Sequence, residues 1–182
     1  MAGAVTFALR KATLEDRPAL EQLIADSARG LSPPDYTAAQ VEAALGSAFG
    51  VDSELIRDGT YFVAEADRRI VGCGGWSRRA TLFGGDAQPG RRSELLDPAS
   101  DSARIRAFFV HPDWARRGIG RAILEKCESE ARAHGFQSTE LLATLPGERF
   151  YRALGYRGVE RIEHRLRDAV TIEFVPMKKD LA

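Results

Sequence analysis

The sequence predicts an α/β fold in which a mixed, mostly antiparallel central sheet of about seven strands carries helices on both faces. Short segments rich in aromatic and β-branched residues, some with apolar residues at alternate positions, have the pattern of strands. Between several of them lie segments whose apolar residues recur at helical spacing. Two predicted strands are joined by only two residues, and so short a connection requires an antiparallel hairpin.

The first half of the chain is predicted to contain one strand, two helices and a hairpin. Val5 to Lys11 has Val5, Phe7 and Leu9 at alternate positions, which predicts a first strand. Thr13 to Asp16 resembles a capping box, and the apolar stripe after it predicts a first helix that ends at Gly30. The second helix and the two hairpin strands are predicted at Thr37 to Ala48, Thr60 to Ala66 and Arg69 to Trp76, with the turn at Asp67 and Arg68.

The second half begins with a stretch that shows no periodicity. Phe83 to Ser102 is rich in glycine, proline and charge, and a loop of that length is usually functional or mobile. Ala103 to Val110 is predicted as the central strand, and Ala122 to His134 as a helix whose apolar face begins at Ile119. The remaining predicted elements are a strand at Ser138 to Thr144, a short helix at Glu148 to Leu154, and strands at Tyr156 to Leu166 and Ala169 to Met177.

Composition restricts the classes of function. At 182 residues we expect a single domain spanning residues 1–182. The 26 basic and 26 acidic side chains balance, which argues against a nucleic-acid partner. No apolar run approaches membrane-spanning length and the N-terminus lacks a signal-peptide pattern, so we expect a cytoplasmic protein without a membrane partner. Cys73 and Cys127 are interpreted as buried core residues, and we expect no metal.

The connection between the central strand and the next helix has the character of an anion site. It contains Arg116, Arg117, Gly118, Ile119, Gly120 and Arg121. Glycine lets backbone approach a ligand closely, and the first N–H groups of a helix point outward at its positive end. These features predict a pyrophosphate site. Taken alone, a tight turn with solvated arginines is equally compatible, and the segment matches neither a Walker P-loop nor a Rossmann fingerprint.

Two segments resemble the signatures of one family. Ile105 to Leu124 closely resembles the acetyl-CoA-binding motif of the GNAT acetyltransferase superfamily, and Phe150 to Tyr156 is similar to its second signature. Their order and separation match, as does the order of predicted elements, so the resemblance covers nearly the whole chain. It implies a GNAT-like acetyl-CoA-binding fold and an N-acetyltransferase. The enzyme would use acetyl-CoA to acetylate a primary amine of a small molecule or protein, by direct attack on the thioester.

The resemblance also implies roles for individual residues. The backbone of a bulged, splayed central strand would pair with the pantetheine arm, at Phe108, Phe109 and Val110. A backbone N–H near Val110 would stabilise the oxyanion, and Arg116 to Arg121 would clamp the pyrophosphate. Tyr151 matches the acid that protonates the leaving thiolate. The alternatives are an aromatic residue packed between helix and sheet for Tyr151, and a solvated face for the arginines, Arg106 included.

Three departures from the family pattern bear on catalysis. Ala115 stands where the family usually has Gln or Arg, and Thr144 to Glu148 lacks an asparagine that contacts the cofactor in many members. Arg104 stands where some members carry a glutamate base, so we predict no dedicated base on the central strand. The remaining candidates are Glu140, Asp101 and His111. For His111, fixing the local loop is the favoured interpretation.

The acceptor is expected to enter beside the splayed strands. Its predicted walls are Trp76, Tyr36, Phe83 and the long loop, although Trp76 is equally compatible with the core. The competing function is a non-catalytic CoA- or acetyl-CoA-binding sensor or regulatory module. Ala115 and the missing base favour the sensor, whereas Tyr151 favours the enzyme. The sequence is also compatible with a homodimer.

Overall fold

The computed structural model describes residues 6–158 and 160–182, so Val5 and Val159, which belong to predicted strands, lie outside the described residues. The strands within this part of the chain are β1 (Ala8–Lys11), β2 (Tyr61–Ala66), β3 (Arg69–Ser77), β4 (Ala103–Val110), β5 (Ser138–Thr144), β6 (Arg157–Gly158), β7 (Ile162–Arg165) and β8 (Thr171–Asp180). The α-helices are α1 (Arg17–Leu31), α2 (Ala38–Ala44), α3 (Ser53–Arg57), α4 (Ile119–Ala133) and α5 (Glu148–Ala153).

The strands form one mixed sheet, which confirms the predicted fold class. Their order is β1-β2-β3-β4-β5-β8-β6, and β7 pairs with the other end of β8. Every pair is antiparallel except β4 with β5. The described residues form eight strands rather than about seven, because the predicted Tyr156 to Leu166 strand is divided into β6 and β7. The hairpin turn is confirmed, with φ of 48° at Asp67 and 60° at Arg68, as a two-residue hairpin requires.

Helices cover both faces of the sheet and enclose two hydrophobic cores. On one side, called the α4 face, α4 and α5 pack on a core that includes Trp76, Ile105 and Cys127. On the other side, called the α1 face, α1, α2 and α3 pack on a core that includes Tyr61 and Cys73. Both cysteines are buried and free, as predicted. Among the residues that the structure describes, none of the helices combines the length and the apolar character of a membrane span.

One predicted helix end is wrong, and one short helix was not predicted. α1 ends at Leu31, one residue beyond the predicted end at Gly30, and an added Cβ on Gly30 would lie 2.4 Å from Cγ of Pro112, so this glycine also permits close packing. α2 stops at Ala44 because Leu45 has extended backbone, well before the predicted end at Ala48. α3 has five residues, too few to show a helical period.

The long loop is fixed to the sheet by buried charge. Arg106 of β4 is 3% exposed and donates hydrogen bonds to Asp52 at 2.7 Å and to the carbonyls of Thr81 and Gly84 at 3.1 and 2.6 Å. Arg91 donates to the other carboxylate oxygen of Asp52 at 2.9 Å. Arg106 therefore does not lie on a solvated face, and that interpretation of it from sequence is wrong. The loop has no helix or strand, as predicted, but it is anchored.

This network makes Asp52 a strong determinant of stability. Replacing Asp52 with alanine leaves Arg106 buried without its counter-charge, and breaking a buried pair in this way costs about 3–5 kcal/mol. Urea unfolding of Asp52→Ala should show a loss of that size. Glu42→Ala, which breaks the exposed Arg29–Glu42 pair, should leave the free energy of unfolding nearly unchanged. Equal losses in the two variants would contradict the account.

Candidate active site

β4 and β5 pair over only a short stretch. Ala103 pairs with Thr139 and Arg104 pairs with Glu140, and the two strands are unpaired beyond that point although β4 continues to Val110. The guanidinium of Arg104 forms an ion pair with the carboxylate of Glu140 where the separation begins. The edge of β4 beyond Arg104 therefore faces a gap instead of a strand, which is the splay expected from the family resemblance.

The N–H of Val110 points into this gap. The neighbouring N–H, that of His111, donates to the carbonyl of Val71 on β3 at 2.9 Å. Successive N–H groups of a strand point to opposite edges, so the N–H of Val110 faces the β5 side. This is the direction that an oxyanion donor in the gap needs.

A β-bulge lies in β4 beside the gap. Two residues of β4, Ala107 and Phe108, lie opposite the single residue Gly74 of β3. Ala107 has φ of 54°, in the left-handed region that an alanine rarely adopts. An added Cβ on Gly74 would lie 2.7 Å from the ring of Phe108, so only glycine leaves room for that ring. The bulge sends Phe108 to the α4 face and Phe109 to the α1 face.

The connection from β4 to α4 forms an open turn at the start of the helix. α4 begins at Ile119, and its first internal hydrogen bond runs from the N–H of Ala122 to the carbonyl of Gly118 at 3.0 Å. The three N–H groups before Ala122 therefore have no partner inside the helix. Gly118 has φ of 84°, and an added Cβ there would meet nothing within 4 Å. The turn thus presents free N–H groups and an open side at the positive end of a helix of 15 residues.

Three guanidinium groups surround the start of α4. Arg116, Arg117 and Arg121 are exposed, and none of them forms an ion pair within residues 6–158 and 160–182. The guanidinium of Arg117 lies 5.2 Å from the ring centroid of Trp114, a cation–π contact. The structure therefore brings together, at one helix start, the six residues predicted for the anion site.

The two glycines of this turn have different surroundings. Gly118 faces open space, whereas an added Cβ on Gly120 would lie 3.1 Å from Cζ of Phe150 on α5. Gly120 therefore allows α5 to pack closely against the first turn of α4. An open side at the Cβ position is therefore present at Gly118, whereas the corresponding position of Gly120 faces Phe150.

Tyr151 packs beside the bulge of β4. Its ring centroid lies 6.3 Å from that of Phe108, 5.0 Å from that of Phe150 and 5.6 Å from that of Tyr156. The residue is 8% exposed, and its hydroxyl has no hydrogen-bond partner among the described residues. Burial raises the pKa of Tyr151 above its ordinary value, so the hydroxyl holds its proton at neutral pH. These surroundings are compatible with both predictions for Tyr151, the aromatic residue packed between helix and sheet and the proton donor.

The three base candidates are all engaged in local contacts. Glu140 is paired with Arg104, and Asp101 accepts a backbone N–H at 2.7 Å within its own turn. Nδ1 of His111 accepts the backbone N–H of Asp113 at 3.2 Å, which supports its interpretation as a loop-fixing residue. Within β4, Arg104 and Arg106 are the ionisable side chains, and a guanidinium does not accept a proton at working pH.

The predicted acceptor walls fall on different faces of the sheet. Trp76 is fully buried on the α4 face and its indole N–H donates to Glu130 at 3.1 Å, so the assignment of Trp76 to an acceptor wall is wrong. Tyr36 lies on the α1 face. Its hydroxyl donates to the carbonyl of Glu173 at 2.5 Å and accepts the N–H of Leu145 at 2.9 Å. These bonds attach the α1–α2 connection to the end of β5 and to β8.

Sequence reasoning did not identify His164, which lies on the α1 face beside the long loop. Its ring centroid is 4.8 Å from that of Phe83 and 6.3 Å from that of Phe174. Burial lowers the pKa of His164, which favours the neutral imidazole at neutral pH. A histidine in a predicted strand gives no local indication of which face of the sheet it occupies. Because the predicted strand is divided into β6 and β7, the alternation of residues along it could not be used to assign that face either.

Comparison with known proteins gives one family. The sequence matches the family model described as an acetyltransferase (GNAT) domain over residues 57–158, more than half of the chain. A comparison with curated proteins found no match.

Solved structures with the same fold come from several organisms. A GCN5-related N-acetyltransferase from Rhodopseudomonas palustris, also described as a class-II aminotransferase, is 22% identical over 99% of both chains, with a TM-score of 0.73. The PaiA N-acetyltransferase of Thermoplasma acidophilum, solved with coenzyme A, is 14% identical over 96% of this chain and 99% of that one, with a TM-score of 0.64. A GNAT-family acetyltransferase from Staphylococcus aureus is 12% identical over 97% of this chain and 100% of that one, with a TM-score of 0.63.

Proposed function

The chain belongs to the GNAT acetyltransferase family, and from this premise we propose that it is an acetyl-CoA-dependent N-acetyltransferase. It moves the acetyl group to a primary amine of a small molecule or protein by direct attack on the thioester. One observation carries the proposal. A single strand, β4, presents a backbone edge to the gap, leads at its C-terminal end into the open turn before α4, and packs its bulge against Tyr151.

The residues at this site fit acetyl-CoA. The free N–H groups at the start of α4 and the unpaired guanidiniums of Arg116, Arg117 and Arg121 suit a pyrophosphate. The open side at Gly118 lets an anion approach the backbone. The unpaired edge of β4 suits the amide groups of the pantetheine arm, at Phe108, Phe109 and Val110. The PaiA relative, which was solved with coenzyme A, supports the assignment.

Each step of the transfer has a candidate group in the chain. The N–H of Val110 donates to the thioester oxygen as that oxygen gains negative charge. The Tyr151 hydroxyl donates its proton to the sulfur that leaves as thiolate. β4 offers no side chain to take the proton from the amine, so the amine loses that proton to solvent.

The competing function is a sensor that binds CoA without turnover, favoured by Ala115 and by the arginines on β4. Release of free CoA separates the two functions, because an enzyme releases CoA only when an acceptor amine is added. The panel should include small amines, amino acids and peptides with free N-termini and lysines. We expect amine-dependent release. Acetyl-CoA binding with no release for any amine would favour the sensor.

The missing base leads to a prediction about pH. A free primary amine has a pKa near 10 and attacks only when deprotonated, so kcat/KM should rise with pH into the alkaline range. Two acceptors whose amine pKa values differ by about one unit or more should give profiles displaced accordingly. A shared inflection near neutrality that disappears on mutating His164, Glu140, Asp101 or His111 would contradict this prediction and identify the base.

A further inference from the structure

Two buried side chains, one on β2 and one on β3, contact the bulge of β4. The hydroxyl of Tyr61 on β2 lies 3.2 Å from the carbonyl oxygen of Ala107 and 3.1 Å from Sγ of Cys73. Sγ of Cys73 on β3 lies 3.6 Å from the same carbonyl oxygen. Tyr61 and Cys73 are fully buried. One carbonyl with two lone pairs therefore has two protein donors within reach.

Both donors keep their protons. Burial raises the pKa of Cys73 to about 12 and raises the pKa of Tyr61 well above its ordinary value. A buried thiol with so high a pKa is neither a nucleophile nor a metal ligand at neutral pH, which leaves hydrogen bonding and packing as its functions. The backbone N–H of Phe109 also bonds to Cys73, so the network spans both sides of the bulge.

The bulge needs such support. Ala107 has φ of 54°, and a non-glycine residue in that region is strained unless its surroundings hold it there. The bulge also turns the Ala107 carbonyl toward the α1 face, where Tyr61 and Cys73 supply its donors. Rotation of that peptide unit changes the direction of the peptide units that follow it. Val110, with its N–H in the gap, is three residues further along.

We infer that Tyr61 and Cys73 are positioning residues, which hold the Ala107 carbonyl and thereby aim the N–H of Val110 into the gap where the thioester reacts. This inference rests on the proposed acetyl transfer. A positioning role differs from a purely structural role in its effect on kcat. If the residues position the N–H of Val110, their removal lowers kcat by more than the accompanying loss of folded protein explains.

The test compares variants that remove one hydrogen bond with variants that restore it. Tyr61→Phe removes the hydroxyl and keeps the ring, and kcat should fall by about 10- to 100-fold, the size expected for a small misalignment of reacting groups. Cys73→Ala should also lower kcat, whereas Cys73→Ser, which keeps a donor to Ala107, should recover most of it. The acetyl-CoA Kd should change by less than about threefold, since the turn at Gly118 is untouched.

Val41→Ala is the matched control, because Val41 is buried in the same core but lies on α2, away from the bulge. It should lower stability and leave kcat unchanged. Wild-type kcat in folded Tyr61→Phe and Cys73→Ala, or equal losses in Cys73→Ala and Cys73→Ser, would overturn the inference.

Amide NMR of the ligand-free protein gives a readout that needs no turnover. Tyr61→Phe should shift the resonances of Phe108, Phe109 and Val110 and hasten their exchange, whereas Val41→Ala should not. Unchanged resonances would overturn the inference even with an active enzyme. Altered resonances in a protein that shows no amine-dependent CoA release would overturn the proposed transfer instead, so the two failures are distinguishable.

Discussion

Tyr151→Phe is expected to lower kcat by about 10²–10⁴-fold, the usual loss when a general acid is removed. The Tyr151 side chain packs beside the bulge, and its hydroxyl has no hydrogen-bond partner among the described residues and keeps its proton at neutral pH. The phenylalanine ring preserves the contacts with Phe108 and Phe150, so the fold should be retained. The acetyl-CoA Kd should hardly change, because the turn before α4 is intact. Steady-state kinetics and calorimetry measure the two quantities.

Tyr156→Phe is the matched control, because it removes a second tyrosine hydroxyl from the same signature. That hydroxyl bonds to Thr139 at 2.7 Å and to Glu128 at 3.0 Å, so its loss should reduce stability and leave kcat near the wild-type value. If Tyr151→Phe retains wild-type kcat under conditions where chemistry limits the rate, Tyr151 is not the acid.

Gly118→Asp is expected to raise the Kd of acetyl-CoA by well over tenfold, more than about 1.4 kcal/mol. The new carboxylate would stand on the open side of the turn, where it repels the pyrophosphate and pairs with the surrounding guanidiniums. Aspartate is among the residues that best tolerate the left-handed backbone at this position, so the turn should still form. Calorimetry on the folded variant gives the affinity.

The neutral variant Gly118→Asn separates charge from shape. Asparagine matches aspartate in size and in its tolerance of φ of 84°, so it should lose much less affinity. Gly120→Asp does not test the site, because its side chain would press on Phe150. Equal affinity of wild type and Gly118→Asp would contradict the pyrophosphate assignment.

The elements of this fold that have local signals are predictable from the sequence. The hairpin at Asp67–Arg68 and the strands at Ala103–Val110 and Ser138–Thr144 follow from aromatic and β-branched residues and from the residues that end each segment, and the structure has them there. The end of α1 was predicted to within one residue, whereas the packing of Gly30 against Pro112, a residue distant in sequence, was not predictable. Packing between distant segments leaves no local pattern in the sequence.

The turn proposed to bind the anion was predictable from the sequence. The faces of the sheet on which the other candidate residues lie were not. The residues of the turn before α4 are contiguous, so their character is visible in the sequence. The faces taken by Trp76 and Arg106 depend on sheet pairing and on the bulge at Ala107, and one extra residue in a strand reverses the side on which later residues lie. Asp52, the partner of Arg106, is far from it along the chain.

The most direct test of the account uses acetyl-CoA labelled in its acetyl group, mixed with the wild-type protein and the amine panel at alkaline pH. Mass spectrometry of the amines and of the intact protein then locates the label. We expect labelled amide products, free CoA in equal amount, and unlabelled protein. Label retained on the protein would contradict direct attack, and bound acetyl-CoA with no labelled amine would contradict an acetyltransferase.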